Sequence, residues 1–163
     1  MGRFIQVCCA LAVLFLVVVA LQGLAASYAL PLPAGLGSRI SHVIWGFLAT
    51  ILALFAHTIS MFYFIGTGSA VKDEARKNAK IVPLYERTRK FKARTSGILT
   101  LAPLLLMAAS IAGAGVAGGS VAPAVHLWME VVAVAFNVWT LVKVIGVIGE
   151  NMILMEEANR LAS

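Results

Sequence analysis

The stretch that decides the fold is Ile40 to Ile65, ISHVIWGFLATILALFAHTISMFYFI, 26 residues without a formal charge. A helix needs about 20 apolar residues to cross a hydrocarbon layer of ~30 Å, so this segment can span a bilayer with some tilt. Three further runs have the same character. Phe4 to Ala26, FIQVCCALAVLFLVVVALQGLAA, precedes it; Gly97 to about Gly118 and Val125 to about Ile148 follow. The whole chain of 163 residues is 61% hydrophobic and 12% charged. Its mean hydropathy is +0.94, outside the usual composition of water-soluble domains. The expected fold is an all-α integral membrane protein: one domain, a four-transmembrane-helix up-and-down bundle with spans at about 4–26, 40–66, 97–118 and 125–148.

The charges fall in one place. Between Lys72 and Arg94 stand nine basic residues against Asp73, Glu74 and Glu86, an excess equal to the net charge of +6. Basic residues beside membrane spans mark the cytoplasmic side, and they attract anionic lipid. Segment 67–96 therefore reads as a basic cytoplasmic loop, with both termini on the same side and the protein in a bacterial-type plasma (inner) membrane. A patch of this kind flanked by apolar runs argues against nucleic acid as the partner. The expected partners are the bilayer itself, anionic lipids at the loop 72–94, and other membrane subunits or a second copy.

Gly66 and Gly68 are natural helix-ending residues, and Ser69 is placed to cap a following helix with Asp73 and Glu74 in its first turn. Val71, Ala75, Ala79 and Val82 then recur at helical spacing, which suits a short helix along the membrane face, interrupted at Pro83. Ser96 is expected to cap the third span. Ala109, Gly113 and Ala117 give that span a small-residue line suited to helix contact. Pro31, Pro33, Gly35 and Gly37 mark one uncharged outer turn, and GGSVAPA after Val116 a second. Arg3 followed by an apolar run, with small residues at Ser27 and Ala29, resembles a secretory signal. The run is longer than the usual signal core, which favours an uncleaved anchor. Adjacent Cys8 and Cys9 fit neither a disulfide framework nor a zinc knuckle.

Ionisable residues inside spans carry the functional hypotheses, because each is costly to place there. His42, Gly46, Ala49, Ala53, His57 and Ser60 share a sector of about 80° on the second span, with small residues between the histidines. His126, Glu130, Asn137 and Thr140 share a similar sector of about 80° on the fourth. Counted from the outer ends, His42 and His126 lie at matched depth, Glu130 about 6 Å deeper and His57 about 22 Å below His42. In an up-and-down bundle these two helices can face each other across the core, where bundle cofactor sites are built. The expectation is that His42 and His126 hold a haem b or a metal ion, the latter with Glu130, and that His57 serves a second site.

Two histidines about four turns apart on one span resemble the arrangement of diheme b-type cytochromes. That resemblance implies electron transfer and four axial ligands, with a methionine such as Met61 or Met107 completing the set beside three histidines. The local alternative for His57 is a hydrogen bond to Asn137 or Thr140. No Walker loop, dinucleotide fingerprint, zinc-protease pair or nucleophile elbow occurs, so a soluble-type active site is not expected. The function expected is a small accessory or anchor subunit of a membrane complex. The alternatives are a structural or assembly protein without cofactor, and a small transporter or proton path.

Overall fold

The computed structural model describes residues 1–28 and 39–162. Among them are four long helices: α1 (Gly2–Ser27), α2 (Arg39–Lys77), α3 (Val82–Ala117) and α4 (Pro123–Ala162). Each is long and apolar enough to cross a membrane. The turn expected at Pro31, Pro33, Gly35 and Gly37, and Ala29 with it, lies outside the described residues.

The helices form an up-and-down bundle in which α1 touches α2 and α4, and α3 touches the same two. The remaining contact, α2 with α4, crosses the diagonal. Named pairs fix the directions. Cys9 meets Ser60 while Val19 lies by Gly46, and Thr50 meets Ser110 while Met61 and Leu99 line one hollow, whereas His57 meets Asn137 and Thr67 meets Asn151. Chain positions thus run oppositely between neighbours and together across the diagonal.

The main departure from expectation is at the basic segment. Gly66 and Gly68 do not end α2, which continues to Lys77, and Ser69 and Ser96 lie inside helices rather than capping them. The span expected to begin near Gly97 is the continuation of a helix that starts at Val82, with Pro83 in its first turn instead of interrupting it. Proline is well suited to that position, where its missing N–H costs nothing. What was read as loop 67–96 is therefore a helical hairpin, turned by the three-residue 3-10 helix Ala79–Ile81. Likewise the tail after Ile148 is the last part of α4.

Packing explains the difference. Val71, Ile81, Leu84, Phe91, Leu154 and Ala158 are buried in the same core that runs through the spans. A glycine costs roughly 1 kcal/mol in a helix interior, and burying one leucine-sized side chain offsets that cost. Val71, Ala75, Ile81, Leu84 and Phe91 of the basic segment face neighbouring helices, whereas Ala79 and Val82 of the expected surface stripe are exposed. At 1.5 Å per residue α2 is roughly 58 Å long, far more than a hydrocarbon layer, so its last turns stand clear of the apolar zone. Arg87 with Glu157 and Arg94 with Glu150 bridge α3 to α4 in this extension, at 3.6 and 3.7 Å.

The hairpin is fastened by Asn78. Its Oδ1 accepts from the Lys80 backbone N–H at 3.0 Å, and its Nδ2 donates to the Leu161 carbonyl at 2.9 Å. Asn78→Ala removes a local cap and the tie to α4. We expect a loss of about 1 kcal/mol, seen as faster hydrogen exchange in 76–82 with the membrane spans unaffected.

Candidate metal centre

The end of the bundle opposite the basic hairpin, here the distal end, gathers the first group of polar residues. The five-residue turn from Gly118 to Ala122 returns the chain at once, with Gly119 at φ 73°, a left-handed conformation that favours glycine. It sets α4 going at Pro123, so His126 stands one turn in and Glu130 a turn deeper on the same face. Across the diagonal, α2 brings His42 to His126, with ring centroids 6.5 Å apart and planes at 70°. His126 Nε2 lies 3.7 Å from Glu130 Oε2. One ligand atom from each of His42, His126 and Glu130 falls within 4.8 Å of the others.

The neighbouring helices are shaped around these side chains. A Cβ on Gly23 of α1 would stand 2.8 Å from Glu130 Oε2, and one on Gly113 of α3 would stand 2.9 Å from His126 Cε1. Glycine at each place is what allows the carboxylate and the imidazole to occupy the core. Beside Gly23, Gln22 is only 4% exposed, and neither amide atom has a partner. His42 Nδ1, His126 Nδ1 and Glu130 Oε1 are also buried without one. Buried polar atoms are normally satisfied, so four residues with spare donors and acceptors at one level mark a place suited to a further ligand.

The donor set is two imidazole nitrogens and one carboxylate oxygen, which suits zinc and other divalent first-row ions. Ligands at 2.0–2.1 Å from one tetrahedral zinc stand about 3.4 Å apart, so the observed spread of up to 4.8 Å has to draw in by side-chain rotation on binding. A porphyrin ligated by the same two imidazoles would lie between His42 and His126, whose ring centroids are 6.5 Å apart.

His57 is not drawn into this group. It is 2% exposed and its Nε2 lies 2.8 Å from Asn137 Oδ1. An amide oxygen only accepts, so the ring nitrogen donates. Asn137 Nδ2 donates in turn to the carbonyls of Ala102 on α3 and Ala133 on its own helix, at 2.9 and 2.8 Å. His57 thus makes the local hydrogen bond to Asn137, while its Nδ1 is buried without a partner among the described residues. Thr140 is buried near the same depth with its hydroxyl unpartnered. Ser60 donates to the Ala56 carbonyl and lies 3.6 Å from Cys9 Sγ. Met61 packs against the core and Met107 is exposed on the outside of α3. Gln22, Gly23 and Gly113 were not singled out as site residues from sequence. The signal for Gln22 was that it and Gln6 are the polar breaks in the first span.

No protein-family model, curated protein or solved structure matches the chain.

Proposed function

We propose that this protein is an accessory subunit of a membrane complex whose bundle holds one divalent first-row metal ion at its distal end through His42, His126 and Glu130. The observation that carries the reading is the convergence of those three ligand atoms within 4.8 Å across the α2–α4 diagonal. Such an ion joins two helices that otherwise touch sparingly, neutralises the Glu130 carboxylate, and has coordination positions left for water or a partner's group. An iron or copper ion on the same donors also carries an electron, which is the electron-transfer form of the role. The positive-inside rule puts the basic hairpin and both termini in the cytoplasm of a bacterial-type plasma membrane, with the metal centre at the outer face. The exposed apolar sides of the helices meet lipid, other subunits or a second copy.

The second reading is a structural or assembly protein without cofactor. It rests on the closeness of His126 to Glu130 one turn apart, which a local pair on α4 explains by itself. Metal analysis separates the two. Protein stripped with chelator, reloaded with Zn2+ and desalted is expected to retain about one equivalent per chain, His42→Ala and His126→Ala to retain almost none, and Glu130→Gln to retain only part of it. His57→Ala is expected to keep the full complement. Loss of nothing in the three variants, or no retained zinc in the parent, favours the structural reading. A reduced-minus-oxidised visible spectrum of the same samples tests the haem form, and a b-type band lost in His126→Ala would replace the ion with a haem.

A further inference from the structure

At the opposite end of the molecule α2 and α3 part slightly and leave a groove of about 530 Å³. It exists because the facing residues are small: Gly68 and Ser69 on α2, Ala93 and Ser96 on α3. A Cβ on Gly68 would meet nothing within 4 Å. Lys72 from one helix and Arg89 and Lys92 from the other line the groove, together with Tyr85. Arg89 is shared with Glu86 at 3.0 Å. Lys72 and Lys92, like Lys80 and Lys90 away from the groove, have no carboxylate within ion-pair distance among the described residues, whereas the other five basic residues of the segment do.

The groove continues towards the spans. A second hollow of about 150 Å³ shares Phe64, Ile65, Lys92 and Ser96 with the first and runs on to Met61 and Leu99. From Lys72 to Met61 is about 16 Å of helix, leading from the charged extension into the apolar zone. A cationic mouth above an apolar seam matches a molecule with an anionic head and a long hydrocarbon tail.

We propose that this groove binds one anionic phospholipid, its phosphate held among Lys72, Arg89 and Lys92 and one acyl chain lying along Phe64, Ile65, Met61 and Leu99. Generic attraction of a basic surface to an anionic leaflet needs no such groove and depends on total charge. Here lysines from two facing helices line one opening that runs on into an apolar hollow. The apolar continuation selects a lipid over free phosphate. The site stands apart from the metal centre and does not depend on it.

The test uses the full chain in detergent micelles, titrated with phosphatidylglycerol or phosphatidylcholine and read by native mass spectrometry. The parent is expected to hold one phosphatidylglycerol in preference to phosphatidylcholine. Lys72→Gln with Lys92→Gln is expected to reduce that preference about 30-fold, as two membrane-surface cations would. Lys80→Gln with Lys90→Gln removes the same charge away from the groove and is expected to leave it. Gly68→Leu fills the groove with charge unchanged, favours the helix, and is expected to lose the bound lipid. Helical circular dichroism and a monodisperse gel-filtration peak report that each variant is folded. Equal losses in both double variants, or full retention by Gly68→Leu, overturn the proposal. Displacement of the lipid by millimolar glycerol phosphate would also overturn it, in favour of a free-phosphate site.

Discussion

Zinc at one hundred times its dissociation constant is expected to raise the unfolding free energy of the detergent-solubilised chain by about 2.7 kcal/mol over the chelator-treated form. His126→Ala is expected to remove that gain entirely. The size follows from linkage: a ligand held by the folded bundle and not by the unfolded chain stabilises by mass action, whatever the details of the contacts. His126 is the sharpest residue to change because it lies between the other two. It faces His42 across the diagonal and stands 3.7 Å from Glu130 on its own helix. In Glu130→Gln the nitrogen donors remain, so weakened binding with residual stabilisation is expected there. The pH dependence has a definite sign. Imidazole binds a metal only when unprotonated, so the zinc-induced gain should shrink as pH falls and return as it rises. The metal-free protein supplies the baseline to be subtracted at each pH. Detergent unfolding followed by far-ultraviolet circular dichroism, with and without chelator, checks each value. A gain that persists in His126→Ala would place the ion elsewhere.

The bundle and the level of the distal group were legible in the sequence for one reason: both depend on local, periodic features. Charge-free runs give the spans, and 100° per residue carries His42 to the face of Ala53 and His57, and His126 to that of Glu130 and Asn137. Equal depths from the outer ends then bring His42 to His126. The basic segment was misread because its apolar positions fit two partners equally well. Val71, Ala75, Ala79 and Val82 at helical spacing suit a membrane surface or a neighbouring helix, and only the tertiary structure decides between them. Here α4 continues to Ala162 and presents Leu154 and Ala158 to the hairpin. The glycines at 66 and 68 read as stops, yet they interrupt nothing because the helix has packing on both sides of them. Gln22 was missed for a related reason. Its importance comes from the glycine beside it, which accepts Glu130 from another helix, and such a contact between distant positions leaves no periodic trace.

Asn137→Leu is expected to destabilise the protein by about 2–3 kcal/mol while leaving its metal content unchanged. The amide makes three buried bonds, to His57, to the Ala102 carbonyl beside Pro103, and to its own Ala133 carbonyl. It thereby joins α2, α3 and α4 at one level. Hydrogen bonds between helices in membranes are each worth about 0.6 kcal/mol on average and up to about 1.7. Their loss alone falls short of the expected effect. The larger share comes from His57, whose Nε2–H is left buried with nothing to accept it, at a cost of about 1–3 kcal/mol. This makes a double-mutant cycle decisive. If the pair is structural, His57→Leu removes the orphan that Asn137→Leu creates, so the double variant should be clearly less destabilised than the sum of the two single ones. The coupling should survive chelation, because the distal ligands take no part in it. If His57 instead binds a cofactor of its own, its replacement alone should alter the bound material or the spectrum, and the two effects should add. Strict additivity would therefore sink the reading of His57 as a fastening between helices and restore it as a second site.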